Sequence, residues 1–207
     1  MTVKQLFRQP LFFYFRSMHR HFKIYKPYGY LSQFITNQKK PGKHKLLGEL
    51  YDFPEGTMAV GRLDKDSEGL LLLTTNGKLS TKITAGNSEK EYYVQVDGEI
   101  TSEAIQKLRE GVDISINGKK YRTLPCKTEK LLNIPNFPER AKKVRDERHG
   151  PSSWVSITLT EGKFRQVKKM TAAVGFPTLR LVRVRIANEK LDGMNSGEVR
   201  ELKEVNL

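Results

Sequence analysis

The chain has 207 residues, with 37 Lys and Arg against 23 Asp and Glu, a formal charge of +14, and 37% hydrophobic residues. That length suits one domain with a real core, and clean apolar periodicity excludes a disordered chain. The single cysteine, Cys126, excludes a disulfide framework or a Cys-rich zinc site and suits a reducing compartment, and the longest apolar runs, at 11–15 and 70–73, fall far short of the ~20 residues of a membrane span.

Residues 1–20 read as a basic, aromatic leader, disordered or dispensable, with the folded domain at 21–207. The leader lacks the ~7–15 apolar residues and small-residue cleavage site of a secretory signal. An organelle transit peptide and a start at Met18 stay open as alternatives. Residues 1–50 carry ten Lys and Arg against Glu49 alone, and residues 161–185 carry seven against Glu161 alone, while the rest of the chain sums to −1. Two such concentrations point to a polyanionic partner, of which nucleic acid is the commonest. A merely solvated basic surface is the alternative.

Lys26-Pro27-Tyr28-Gly29-Tyr30 reads as a turn, and 37–45 as a basic exposed loop. A short strand is expected at Thr57–Val60 and a buried one at Gly69–Thr74, closed by Asn76-Gly77. Residues 91–97 alternate, with Tyr92, Val94 and Val96 on one face. Thr101–Glu110 reads as a helix capped by Thr101 or Ser102 and stopped by Gly111. A hairpin follows at 114–121, turning on Asn117-Gly118. Residues 133–151 read as a surface loop. Residues 154–160 alternate again, with Val155, Ile157 and Leu159 together. A helix is expected at Phe164–Val174 and a strand at Leu179–Ile186, broken by Arg180, Arg183 and Arg185. Several strands and few helices make the chain α+β, with a mixed or antiparallel sheet.

On the 164–174 helix, Arg165, Lys168, Lys169 and Ala172 share one face, and Val167, Met170, Thr171 and Val174 the other. Like charges at that spacing repel, and an anion opposite them removes the cost. An ordinary solvated face is the alternative. Asp64-Lys65-Asp66-Ser67-Glu68-Gly69 looks like the start of a calcium loop, but position 12 is Thr75 where a bidentate Glu is needed, and positions 7–11 have strand character. Arg62 and Asp64, two residues apart, point the same way in an extended segment, and an adjacent Arg favours the ionised carboxylate a nucleophile needs. On these two residues alone, a surface ion pair at a strand end is the better reading. There is no Ser or Cys nucleophile motif, no zinc spacing among His19, His21, His44, His149 and Cys126, and no Walker or dinucleotide glycine pattern.

The segment Gly61-Arg62-Leu63-Asp64-Lys65-Asp66-Ser67-Glu68-Gly69-Leu70-Leu71-Leu72-Leu73-Thr74 resembles the central motif of the RsuA branch of pseudouridine synthases. Lys26-Pro27-Tyr28-Gly29 is similar to that family's first motif, Lys90-Glu91-Tyr92-Tyr93-Val94 to its tyrosine motif, and the segment from Glu161 to Met170 to its basic motif. All four stand in the family's order. Pro151-Ser152-Ser153-Trp154 and the segment from Val174 to Arg180 look closest to the RluE subgroup, which modifies large-subunit ribosomal RNA.

The resemblance implies a mixed, mostly antiparallel sheet with flanking helices, a central RNA cleft, and no metal or other cofactor. It implies Asp64 as nucleophile in the isomerisation of a specific uridine to pseudouridine. Tyr92 would stack on the target base or help remove its proton, Lys168 would be the basic partner of Asp64, and Arg62 would position that carboxylate or touch RNA. Lys26, Lys163, Arg165, Lys169, Arg180 and Arg183 are the expected RNA contacts. Many relatives have His at Arg165 and Arg at Lys163, changes that keep hydrogen-bond donors. The expected protein is a monomeric, cytoplasmic enzyme without a separate N-terminal RNA-binding domain, an organelle matrix being the other location. A non-catalytic RNA-binding or ribosome-assembly protein on the same scaffold is the alternative function. Asp64 argues against it, because an acid beside a polyanion weakens plain binding.

Overall fold

Four consecutive leucines build the centre of the protein. In the computed structural model, which describes residues 19–36, 44–86, 88–145 and 147–206, strand β3 (Glu68–Thr74) is buried at every position. Leu70 and Leu72 enter one apolar cluster with Tyr25, Val60, Ile83 and Val182, and Leu71 and Leu73 enter another with Phe22, Ile24 and Leu47. A strand covered on both faces needs an unbroken apolar run, which this is. Each fully buried leucine contributes about 1.5–3 kcal/mol.

Around β3 run β1 (His21–Lys26) and β2 (Met58–Val60), both antiparallel to it. On the edge away from β1, which β2 occupies further along, β9 (Thr178–Ile186) lies parallel to β3, paired only at Glu68↔Val182 and Gly69↔Arg183. The sheet continues antiparallel through β4 (Lys90–Asp97), β8 (Ser152–Leu159) and the edge strand β7 (Lys127–Leu131). Strands β10 (Glu189–Lys190) and β11 (Val199–Leu202) pair β9 and β1, which completes nine strands among the described residues. Hairpin β5 (Asp113–Ile116) and β6 (Lys119–Arg122) stands apart, and Asn117 and Gly118 take the positive φ values, 51° and 77°, that a two-residue hairpin turn requires. The chain is therefore α+β with a mixed, mostly antiparallel sheet, as expected.

The helices divide between expected and unexpected. Helix α2 (Ser102–Glu110) is capped by the Thr101 hydroxyl, which accepts from the Ala104 amide, and ends at Gly111 with φ 87°. Helix α1 (Gly77–Ala85) corrects the reading of Asn76-Gly77 as a strand-ending turn, because the Asn76 side chain accepts from the Leu79 amide and starts a helix. Helix α3 (Gln166–Ala173) begins two residues later than its periodicity suggests. Arg165 sits before it in the left-handed region, φ 52°, so it does not share a helical face with Lys168 and Lys169. Strand β7 escaped notice because of its residues only Thr128 is buried. Strand β8 buries both faces, since Phe137 of the 133–151 segment packs on Trp154 at 5.8 Å between ring centroids. Residues 1–18 of the leader and 37–43 of the basic loop lie outside the described residues.

Candidate active site

The site grows from the turn between β2 and β3. The Asp64 carbonyl accepts from the Ser67 amide, closing a tight turn that places Asp64 and Asp66 at its surface. Two other segments fix that turn. The Gly29 amide donates to the Lys65 carbonyl at 2.8 Å. The buried Ser32 hydroxyl both donates to the Leu63 carbonyl (2.9 Å) and accepts from the Leu63 amide (3.0 Å), so the residue beside Asp64 is held on both sides. Nothing in the sequence reading marked Ser32, because its value lies in a contact across 31 residues.

Beneath the turn, Gly69 touches β9. With φ +101° and the Arg183 carbonyl 2.3 Å from where a Cβ would stand, this position admits glycine alone without backbone movement. The contact joins the Asp64 turn to the strand opposite Tyr92, which pairs with Arg183 in register. Arg62, Asp64, Tyr92, Lys163, Arg165 and Lys168 all line one small cavity of about 70 Å³. An open groove of about 820 Å³ adjoins it through Arg62, Asp64, Lys163 and Arg165, and adds Tyr28 and the largely exposed ring of Phe164.

The charge partners differ from the expected pairing. Asp64 is approached by Lys168 at 3.6 Å and Arg165 at 3.8 Å, while the Arg62 carbonyl accepts from Arg183. The close partner of both cations is Asp66. Arg165 grips it with two nitrogens at 3.0 and 3.1 Å, and Lys168 donates at 2.6 Å. Partial burial works to raise the Asp66 pKa, but these donors outweigh it and bring it down to about 2.

Several expected RNA contacts are placed elsewhere. Lys26 is enclosed, its ammonium donating to the carbonyls of Pro27 (2.9 Å) and Tyr30 (2.8 Å), where it supports the first turn from inside. Arg183 is buried, and its guanidinium donates to the Leu70 carbonyl at 2.7 Å and reaches the Arg62 carbonyl at 3.5 Å. Arg180 forks onto buried Glu68 at 2.9 and 3.0 Å and donates to the Pro138 carbonyl. These three side chains hold the scaffold, because carbonyl oxygens and the Glu68 carboxylate inside the protein take up their donors. Lys169 donates to the Ser115 carbonyl and lies 5.2 Å from the Phe164 ring centre. Lys163 is exposed at the groove, over the Tyr121 ring. Among the described residues, no group of three or more His, Cys, Asp or Glu could hold a metal ion. No helix among them is long and apolar enough to cross a membrane.

Burial pushes the Lys26 ammonium from its ordinary 10.5 down to about 7, against the pull of Glu68 and Asp66. Between those two values the unfolded chain binds a proton at Lys26 that the folded chain does not, so this residue makes stability rise with pH. Wild type is therefore expected to gain stability relative to Lys26→Met from pH 7 to pH 10, by at most about 1.4 kcal/mol per pH unit. Denaturant unfolding of both proteins across that range measures it, and a pH-independent difference would contradict the lowered Lys26 pKa.

A mixed sheet crossed by a cationic groove, with one aspartate turn at its centre, defines the pseudouridine synthase class of folds. The match in sequence is direct: residues 20–173 fit the RNA pseudouridylate synthase family, and the chain belongs to that family. It is 41% identical over 179 residues to ribosomal large subunit pseudouridine synthase E of Vibrio parahaemolyticus, covering 86% of this chain and 71% of that one. It is 43% identical over 171 residues to the protein of the same name from Xanthomonas axonopodis, covering 82% and 86%. Among solved structures, the crystal structure of a pseudouridylate synthase superposes with a TM-score of 0.69 at 28% identity, covering 89% of this chain and 70% of that one.

Proposed function

We propose that this protein isomerises one uridine of large-subunit ribosomal RNA to pseudouridine, with Asp64 as nucleophile and without a cofactor. The observation that carries this reading is the convergence of Asp64, Arg62, Tyr92 and Lys168 on one cavity wall in a chain of this family. The relatives named above bear on the choice of large-subunit RNA. A paired uridine hides its glycosidic bond, so the target is flipped out of its stack or presented in a loop. It enters from the wide groove lined by Tyr28 and Phe164.

In the reaction the bond between uracil N1 and the ribose carbon breaks while Asp64 acts as nucleophile. The base turns, and its C5 bonds to the same ribose carbon as the bond made by Asp64 breaks and frees the carboxylate. N1 gains a proton, C5 loses one to solvent, and no redox change occurs. Tyr92 offers its ring to the base, Lys168 lies against the Asp64 carboxylate, and Arg62 and Lys163 face the RNA backbone. One chain supplies all these groups, which suits a monomer working in the cytoplasm, where bacterial ribosomal RNA is made. The groove-facing Lys163 and Arg165 of the second basic cluster serve this partner.

The test is tritium release from an unmodified large-subunit ribosomal RNA transcript carrying uridine labelled at C5, with the ribosomal particle as a second substrate. Mapping of pseudouridines in cells lacking the protein should show one position lost. No release from either substrate would overturn the proposal.

A further inference from the structure

Asp66 has no task in the chemistry just described, yet it holds the best position among the cations. Among the described residues its hydrogen bonds come from Arg165 and Lys168, and its side chain is 39% exposed, so it is not a buried structural support. An extra carboxylate on an RNA-binding surface weakens binding unless something offsets it. We propose that Arg165 is the docking point for a backbone phosphate beside the target uridine, and that Asp66 fills that point while no RNA is bound. The inference rests on the RNA reading above and adds a phosphate subsite to it.

Three observations carry it. First, the two-nitrogen fork of Arg165 on Asp66 is the geometry in which a guanidinium also holds a phosphate, so one anion can replace the other without moving the arginine. Second, the pair stands between two open spaces. The groove of about 820 Å³ lies on one side, and a second cavity of about 320 Å³ lies on the other, where Arg140, Lys142 and Lys168 add three more cations. Tyr28, Asp66 and Arg165 line both, so a strand of RNA running from one to the other passes over the pair. Third, Arg165 adopts a left-handed backbone conformation unusual for a residue with a side chain. Its neighbour Gln166 pins that bend by accepting from the Lys163 amide and donating to Glu161, and the bend aims the guanidinium at the turn and not along the helix.

Displacement has a second effect. Lys168 now spends its shortest contact on Asp66, 2.6 Å, and stands 3.6 Å from Asp64. Once a phosphate occupies Arg165, Asp66 is drawn off by repulsion and Lys168 is left with Asp64. Seating the backbone and completing the Asp64–Lys168 pair are then one event, which makes Asp66 a positioning residue.

The experiment measures binding of the unmodified large-subunit ribosomal RNA transcript across a range of salt for wild type, Asp66→Asn, Arg165→Gln and the double variant. In wild type the abandoned carboxylate takes up a cation as the phosphate gives one up. In Asp66→Asn it does not, so the plot of log affinity against log salt should steepen by up to about 0.7–0.9. Binding at low salt should be several-fold tighter. In the Arg165→Gln background the same change should steepen the plot much less. An Asp66→Asn slope equal to wild type, or an equal increase with and without Arg165, would overturn the inference. The functional reading fails separately, by absence of tritium release from wild type, and the slopes still decide the phosphate subsite in that case.

Discussion

Replacing Asp64 by Ala is expected to abolish tritium release from C5-labelled uridine, a loss of about 10⁴-fold or more, while RNA affinity stays within several-fold of wild type. Loss of a nucleophile removes the covalent route itself, and the remaining binding and positioning groups recover little of it. Affinity changes little because the cations that face RNA remain, and removal of a negative charge works slightly in favour of binding. Asp66 cannot stand in, because it does not line the cavity that Asp64 shares with Tyr92. Turnover by the variant equal to wild type would move the chemistry away from residue 64. Parallel loss of binding and turnover would instead make Asp64 part of the architecture of the turn.

The second large effect concerns Arg180, which the sequence presents as a cation for RNA and the structure presents as a strut. Arg180→Met leaves the Glu68 carboxylate, 2% exposed, without its forked partner. Breaking a buried ion pair from one side costs about 3–5 kcal/mol, because the remaining charge is stranded. For a chain of this size that lowers Tm by roughly 6–20 °C. Thermal unfolding of the variant measures it. The double variant Arg180→Met with Glu68→Gln should recover part of the loss. A variant with unchanged Tm and a shallower salt dependence of RNA binding would restore the surface role.

What could be read from the chain and what could not divides along physical lines. The four leucines of β3, the Thr101 cap and the Asn117-Gly118 hairpin are local signals, each set by neighbours within a few residues. They appear where periodicity and turn chemistry put them. Helix α1 was missed because Asn-Gly serves both as a turn and as a helix start, and only the Leu79 amide tells them apart. Strand β7 was missed because an edge strand with one buried residue has no pattern to see. The largest errors concern charge. Composition counts Lys26, Arg180 and Arg183 as basic surface, yet each is neutralised or capped by a group distant in sequence or by carbonyl oxygens. A net charge says how many cations exist, not which way they point. The pairing of Arg165 with Asp66 spans 99 residues, which no spacing argument reaches.

The short parallel contact between β3 and β9 has a mechanical meaning. Only two residue pairs of backbone ladder tie one half of the sheet to the other at the level of the aspartate turn. The stiffness of that joint comes instead from side chains laid across it, Arg180 to Glu68 and Arg183 to the Leu70 and Arg62 carbonyls. The floor beneath the aspartate turn is thus bolted and not woven. Its tolerance to substitution should be lowest at residues that never meet the substrate.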